Sequence, residues 1–210
     1  MTRTPRQKRA LATVDAIVEA GFIAVATHGV AGTTTNHIAE IAGIGVGSLY
    51  EYYANKEAVY AAMQERMIND AVATIQPLLN EIVRLDIGDA VKMLLAHFEI
   101  FLRERDGRYL KYAQDSLNVN VKLQLEPLTK MLQELVMRYL MAHPAYLRTP
   151  DIPTMSYIMI NGGIFIVLRH LSDPNPPISF CQLTDGLADM VSHYAHNQMA
   201  RATVTGTAGD

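Results

Sequence analysis

The stretch TTTNHIAEIAGIGVGSLYEYYANKE, residues 33–57, decides how the whole chain reads. Thr33, Thr34 and Thr35 can cap a short helix that carries Ile38, Ala39, Ile41 and Ala42 and stops at Gly43. Hydroxyl side chains satisfy the free amides of a first helical turn, and glycine ends helices because it accepts a left-handed backbone. A second short helix starts near Val46 and runs to about Tyr53. Asn55 then caps a longer helix through Lys56, Glu57, Val59, Met63 and Met67. Two short helices joined by a tight turn of Gly43, Ile44 and Gly45 form a helix-turn-helix, with the second helix presented outward.

The residue types fit that geometry on both faces. Ala39 is small where the helices cross, and Ile38, Ala42, Ile44 and Leu49 point inward; Tyr53, four residues after Leu49, shares the inner face. Val46, Gly47 and Tyr50 lie on the outer face, flanked by Ser48 and Tyr52. Small residues at a helix start let the backbone approach a groove, and a valine methyl can meet a thymine methyl. Tyrosine hydroxyls, the Thr34 and Thr35 hydroxyls and the helix start at Lys56 are phosphate-type donors. The alternative is a packed three-helix subdomain with surface tyrosines.

Upstream, Thr4, Pro5 and Gln7 suit the start of a first helix, whose stripe is Leu11, Val14, Val18, Phe22 and Val25. His28-Gly29 ends it. Arg3, Arg6, Lys8 and Arg9 put four cations and no acid in the first ten residues. The net charge of −3 argues against a nucleic-acid binder as a whole, but a local basic arm can still meet phosphate.

The 210 residues are 50% hydrophobic and 19% charged, which suits a filled core and excludes a disordered chain. One cysteine, Cys181, excludes a disulfide framework; a buried thiol is the expectation there. No secretory signal follows the basic start, and the uncharged window 152–168 is too short and too polar to span a bilayer. The expected protein is soluble and cytoplasmic. Past residue 70 all segments read as helix: 71–85, 87–105, 107–117, 121–141, 153–171 and 179–199. Pro77 and Pro127 should kink or restart their helices. The expected fold is therefore all-α, with a three-helix head over residues 1–66, a larger helical body over 67–200 and a disordered tail over 201–210.

Residues 8–67 resemble the amino-terminal domain of TetR-type transcriptional regulators, on the stretch from Thr34 through Ser48-Leu49-Tyr50 and Tyr53 to Asn55-Lys56-Glu57. The resemblance implies phosphate contacts from Thr34 or Thr35, Tyr50 and Lys56. It implies base contacts from Asn36, Val46, Gly47, Ser48 and Tyr52. Tyr53 stands where phenylalanine is commoner, and the small Gly45-Val46-Gly47 surface offers few side-chain hydrogen bonds. Asn36, Tyr50, Tyr52 and the basic arm are thus expected to carry more of the discrimination. The partner implied is double-stranded operator DNA, and the sign implied is repression.

The resemblance also implies a small-molecule pocket in the body and a homodimer through the last two helices. Six of the eleven methionines fall between Met93 and Met159, which suggests a deformable apolar interior or an ordinary core. Pocket candidates are Met93, Phe98, Tyr109, Tyr112, Met131, Met159 and Asn161, although Asn161 can equally bond its own backbone or a dimer partner. The effector expected is apolar or weakly polar. Ile158, Gly162 and Phe165, with Met190 and Tyr194, are the candidate dimer interface. Asp185, Asp189 and His193 share a helix face, but a solvated face is the plainer reading than a metal site. With no phosphate loop and no nucleophile motif, neither an enzyme nor a cofactor is expected.

Overall fold

The computed structural model describes residues 5–118, 124–148 and 151–206. The described residues form helices and contain no strand. In chain order the helices are α1 (Pro5–Gly32), α2 (Thr35–Ile41), α3 (Val46–Tyr52), α4 (Lys56–Ile75), α5 (Leu79–Ile82), α6 (Ile87–Arg103), α7 (Arg108–Asn118), α8 (Glu126–Ala142), α9 (Ile152–Ser172) and α10 (Phe180–Gly206). The expected breaks appear. A 3-10 turn at Gln76–Leu78 surrounds Pro77, and Pro127 sits in the first turn of α8. Proline lacks the amide and the room that a helix interior demands, but fits a first turn.

The chain forms two compact units, residues 1–69 with 102–124, and residues 70–101 with 125–210. The linear expectation of a head ending near residue 66 therefore meets a spatial unit that also takes in α7. The reason lies in aromatic packing. Phe22 of α1 is 1% exposed and sits edge-on to Tyr109 and Tyr112 of α7, at ring-centroid distances of 4.9 and 5.5 Å. The Tyr112 hydroxyl donates to the Tyr60 carbonyl at 3.0 Å, and the Tyr60 hydroxyl donates to the Val30 carbonyl at 2.7 Å. Buried hydroxyls without such partners would lose about 1–3 kcal/mol each. Arg108 also pairs with Glu19 of α1. Tyr109 and Tyr112 are thus core residues of the first unit, packed on Phe22, and are not among the residues lining the cavity of the second unit, which corrects the expectation for both.

Within α1, the buried stripe begins only at Ile17 and runs through Val18, Phe22 and Val25, while Leu11 is exposed. Gly29 takes φ +69°, so the regular helix ends at His28 as its sequence suggests. In the second unit α8 buries Leu128, Leu132, Leu135 and Tyr139, and packs on α9, which packs on α10. The Tyr139 hydroxyl donates to the Leu85 carbonyl at 3.1 Å, and His143 Nε2 lies 2.9 Å from the Val83 carbonyl.

Several local expectations are corrected. α10 continues to Gly206, so residues 201–206 are helical; extending a formed helix adds one hydrogen bond per residue fixed. Cys181 is exposed in the first turn of α10, its thiol 3.6 Å from an Asp185 carboxylate oxygen. Met137 and Met141 are exposed on α8 and fill no core. Lys8–Gly32 and Ile152–Ser172 are long and apolar enough, by length and composition, to cross a membrane. Each nevertheless has a buried packing face, through Phe22 and Val25 in the first and Val167 and Leu168 in the second.

Candidate functional site

Thr34 stands in extended backbone at the start of α2, and its hydroxyl accepts from the His37 amide at 3.2 Å. This side-chain cap fixes the first turn and leaves Thr34 and Asn36 exposed beside it. Gly43 then turns the chain at φ +68°. A side chain there would be strained whatever the space, so the residue is needed for its backbone. Gly45 begins α3 without a side-chain cap.

Leu49 is the one fully buried side chain of α3, at 0% exposure, and it pins the helix to Ile38 and Ala39, which are also buried. Every other described residue of α3 is at least partly exposed. Gly47 and Ser48 are open, Tyr50 is 51% exposed and Tyr52 is 38% exposed. A short helix with one buried leucine and mostly exposed side chains elsewhere presents that surface outward. The Tyr50 hydroxyl does not hang loose, since it lies 3.2 Å from Thr35 Oγ1. Asn55 Oδ1 accepts from the Ala58 amide at 2.8 Å, which caps α4 and sets Lys56 as its first residue. The Lys56 ammonium sits 5.5 Å from the centroid of the Tyr60 ring, an aromatic face that orients the cation. Thr34, Thr35, Asn36, Val46, Gly47, Ser48, Tyr50, Tyr52 and Lys56 thus all lie on α2, α3 and the start of α4, with accessible surface. Tyr53 is half-buried, and burial raises its phenol above the ordinary range. His28 and His37 stack at 4.1 Å between ring centroids, a contact nothing in the sequence pattern indicates.

The second unit contains a cavity of about 270 Å³ that is partly open to the surface. Its walls come from the last turn of α4, from α5, α6, α8, α9 and α10, and from Tyr146. Of the residues expected to line a pocket, Phe98 and Met159 do so. Met131 is buried and Met93 half-buried, but neither lines the cavity. Asn161 is exposed, and its Nδ2 donates to the Tyr157 carbonyl at 2.8 Å, a bond to the backbone of its own helix. Tyr194, expected at an interface, lines the cavity. Tyr139, Tyr146 and most of the aliphatic lining carry no sequence mark, because a cavity wall and a filled core demand the same side chains.

On α9, Ile158 and Phe165 are 51% and 61% exposed, and Gly162 is open beside them. Met190 of α10 is 57% exposed. Asp185 is engaged by Lys92 at 2.7 Å, which holds its carboxyl below the usual range, and His193 Nδ1 lies 2.8 Å from the Asp189 carbonyl. No group of three metal-binding side chains exists among the described residues.

An all-α fold with a capped, outward-facing short helix after a glycine turn is the helix-turn-helix arrangement, in which the second helix is the one that enters a DNA groove. The particular type follows from comparison. Residues 17–63 match the family of bacterial regulatory proteins, tetR family. That segment is a TetR-type DNA-binding domain, and the chain has the fold of such regulators. The fatty acid degradation regulator FadR from Bacillus halodurans is 17% identical, with 90% of this chain and 96% of that one covered at a TM-score of 0.66. A putative TetR-family regulator from Mesorhizobium loti is 14% identical, covering 94% and 98% at a TM-score of 0.56. The TetR family repressor AlkX from Dietzia sp., implicated in biodegradation of n-alkanes, is 18% identical, covering 93% and 97% at 0.52. A comparison with curated proteins finds no match.

Proposed function

We propose that the protein is a dimeric, cytoplasmic repressor that binds a specific operator and is released from it by a small apolar or weakly polar effector. The exposed face of α3, opposite the buried Leu49 and framed by the Thr34 and Asn55 caps, carries this reading. In it, Thr34 or Thr35, Tyr50 and Lys56 meet phosphates, while Asn36, Val46, Gly47, Ser48 and Tyr52 face base edges. The DNA-reading residues belong to 1–66, and the effector and dimer residues to 67–200. Two copies pair through α9 and α10, whose exposed Ile158, Phe165 and Met190 favour burial against a twin. Pairing sets two recognition helices about one helical turn of DNA apart. The effector occupies the cavity of the second unit and acts by its differential affinity for the DNA-bound and released states. No catalytic step belongs to this function.

The test is fluorescence-anisotropy binding to the duplex upstream of the protein's own reading frame, beside a shuffled duplex, at two salt concentrations. A preference for the native duplex of about a thousandfold or more is expected. Equal, weak, salt-sensitive binding to both, or none at low salt, would favour the other reading, a helical small-molecule binding protein without specific DNA contact. The 270 Å³ cavity is the observation that keeps that alternative open.

A further inference from the structure

The cavity's lining is almost entirely hydrocarbon: Leu94, Phe98, Leu132, Met159, Ile164 and Val191 typify it, and no charged side chain belongs to it. The polar side chains among its lining residues are those of Ser156 and of three tyrosines, 139, 146 and 194. Each of these tyrosines already has an interaction within the protein. The Tyr139 hydroxyl donates to the Leu85 carbonyl at 3.1 Å, and the Tyr146 hydroxyl lies 3.4 Å from His196 Nε2. The cation Lys92, in the same unit, is held by Asp185 at 2.7 Å. An anionic or cationic ligand group would therefore enter without a counter-charge, which is among the costliest transfers in a protein interior. A hydroxyl or carbonyl loses far less, and can meet a tyrosine or serine hydroxyl.

Size follows from volume. An engineered apolar cavity of roughly 150 Å³ holds benzene, six carbon atoms. At the same density 270 Å³ holds about eleven. We propose that the cavity's ligand is an uncharged aliphatic molecule of about ten carbon atoms, carrying at most one hydrogen-bonding oxygen, and that carboxylate and ammonium analogues are excluded. This deepens the effector reading above and rests on it only for the consequence on DNA. The tyrosines point the same way. Burial first, and the negative charge of Asp86 as well, raise the phenols of Tyr139 and Tyr146. The surroundings that resist a phenolate resist a carboxylate too.

The experiment is calorimetric titration of the full chain near neutral pH with 1-decanol, decanoate and decylammonium, and with alcohols from hexanol to hexadecanol. Decanol should bind at least tenfold more tightly than either charged probe. Affinity should rise roughly fourfold per methylene up to decanol, the transfer energy of one buried CH2, and level off beyond it. Leu94→Trp, which fills the cavity, should cost at least tenfold in decanol affinity; if it does not fold, Ala90→Leu is the milder filling. Decanoate or decylammonium binding as tightly as decanol, affinity still rising to hexadecanol, no alcohol binding, or decanol binding unmoved by a folded cavity variant would each overturn the proposal. Anisotropy of a bound duplex in the same titration separates the two readings. Decanol bound without change in DNA affinity leaves the ligand class standing and sinks the regulatory role.

Discussion

The hydroxyl oxygens of Thr35 and Tyr50 lie 3.2 Å apart, and so join the first turn of α2 to the exposed face of α3. A tyrosine 51% exposed would otherwise sample several rotamers. Holding its hydroxyl in place prepares a donor for a phosphate before DNA arrives. Tyr50→Phe removes that donor and should weaken operator binding about tenfold, as expected for a hydrogen bond to a charged group. The melting midpoint should hardly move, since exposed surface changes usually stay within about 0.5 kcal/mol. Thr35→Val should give a smaller loss, and the double variant less than the sum of the two. Strictly additive losses would show that the two hydroxyls act independently.

Lys56 and Asn36 should fail in different ways. Lys56 opens α4 with its ammonium near the Tyr60 ring, and its proposed role is a phosphate contact. Lys56→Ala should weaken binding to every sequence and reduce the salt slope by roughly one unit. Asn36, exposed in the first turn of α2, should instead relax preference at one base position, by about 1–3 kcal/mol, when changed to Ala. Binding across a panel of single-base operator variants at two salt concentrations separates these. A base-specific loss for Lys56→Ala would assign the roles the wrong way round.

Much of this region is legible in sequence because its signals are local. Thr34, Gly43 and Asn55 act on the backbone a few residues away, so their caps and turn can be read without knowing the fold. Leu49 and Ile38 follow from spacing alone, and both are fully buried. The body is different. Tyr109 and Tyr112 look like pocket aromatics in sequence, yet they pack against Phe22, almost ninety residues earlier. Periodicity states that a face is apolar but not what covers it. For the same reason Met131 is core, Met159 is cavity wall and Met141 is surface, though all three lie on helices of similar composition.

The turn itself can be tested at Gly43. Its φ of +68° costs an alanine about 1 kcal/mol, although nothing crowds the position within 4 Å. Gly43→Ala should therefore lower stability by about that amount, read as a shift in the urea midpoint at constant slope. Gly43→Asn should recover part of it, since asparagine tolerates the left-handed region. Equal stability of the alanine variant and the parent would mean that the turn can relax into another conformation.

The exposed apolar face on α9 predicts association. Phe165 at 61% exposure and Ile158 at 51% lie nearly two turns apart on that face. If a second copy covers them, Phe165→Glu puts an unpaired charge into the contact, and the dimer should dissociate by at least tenfold. Light scattering across a concentration series reads the mass directly. A parent that is monomeric at every concentration, or a variant that dimerises as well as the parent, would send the search for an interface elsewhere.

Alkaline pH reports on the core of the first unit. Burial raises the Tyr112 phenol from 10.0 to about 12, against a smaller opposing effect of Ser116. A pKa raised on folding contributes stability that is complete below the unfolded value. Here it is lost as pH climbs from 10 through about 12, because the unfolded chain releases a proton that the folded chain retains. Two units correspond to about 2–3 kcal/mol. Tyr112→Phe forfeits the hydrogen bond to the Tyr60 carbonyl, about 1 kcal/mol at neutral pH. It should then lose less stability than the parent on going from about pH 8 to about pH 12. Tyr60, whose phenol is also raised by burial, keeps the variant's curve from becoming flat. Denaturant midpoints at the two pH values, followed by circular dichroism, give both numbers. Parallel curves for parent and variant would place the alkaline sensitivity outside this tyrosine.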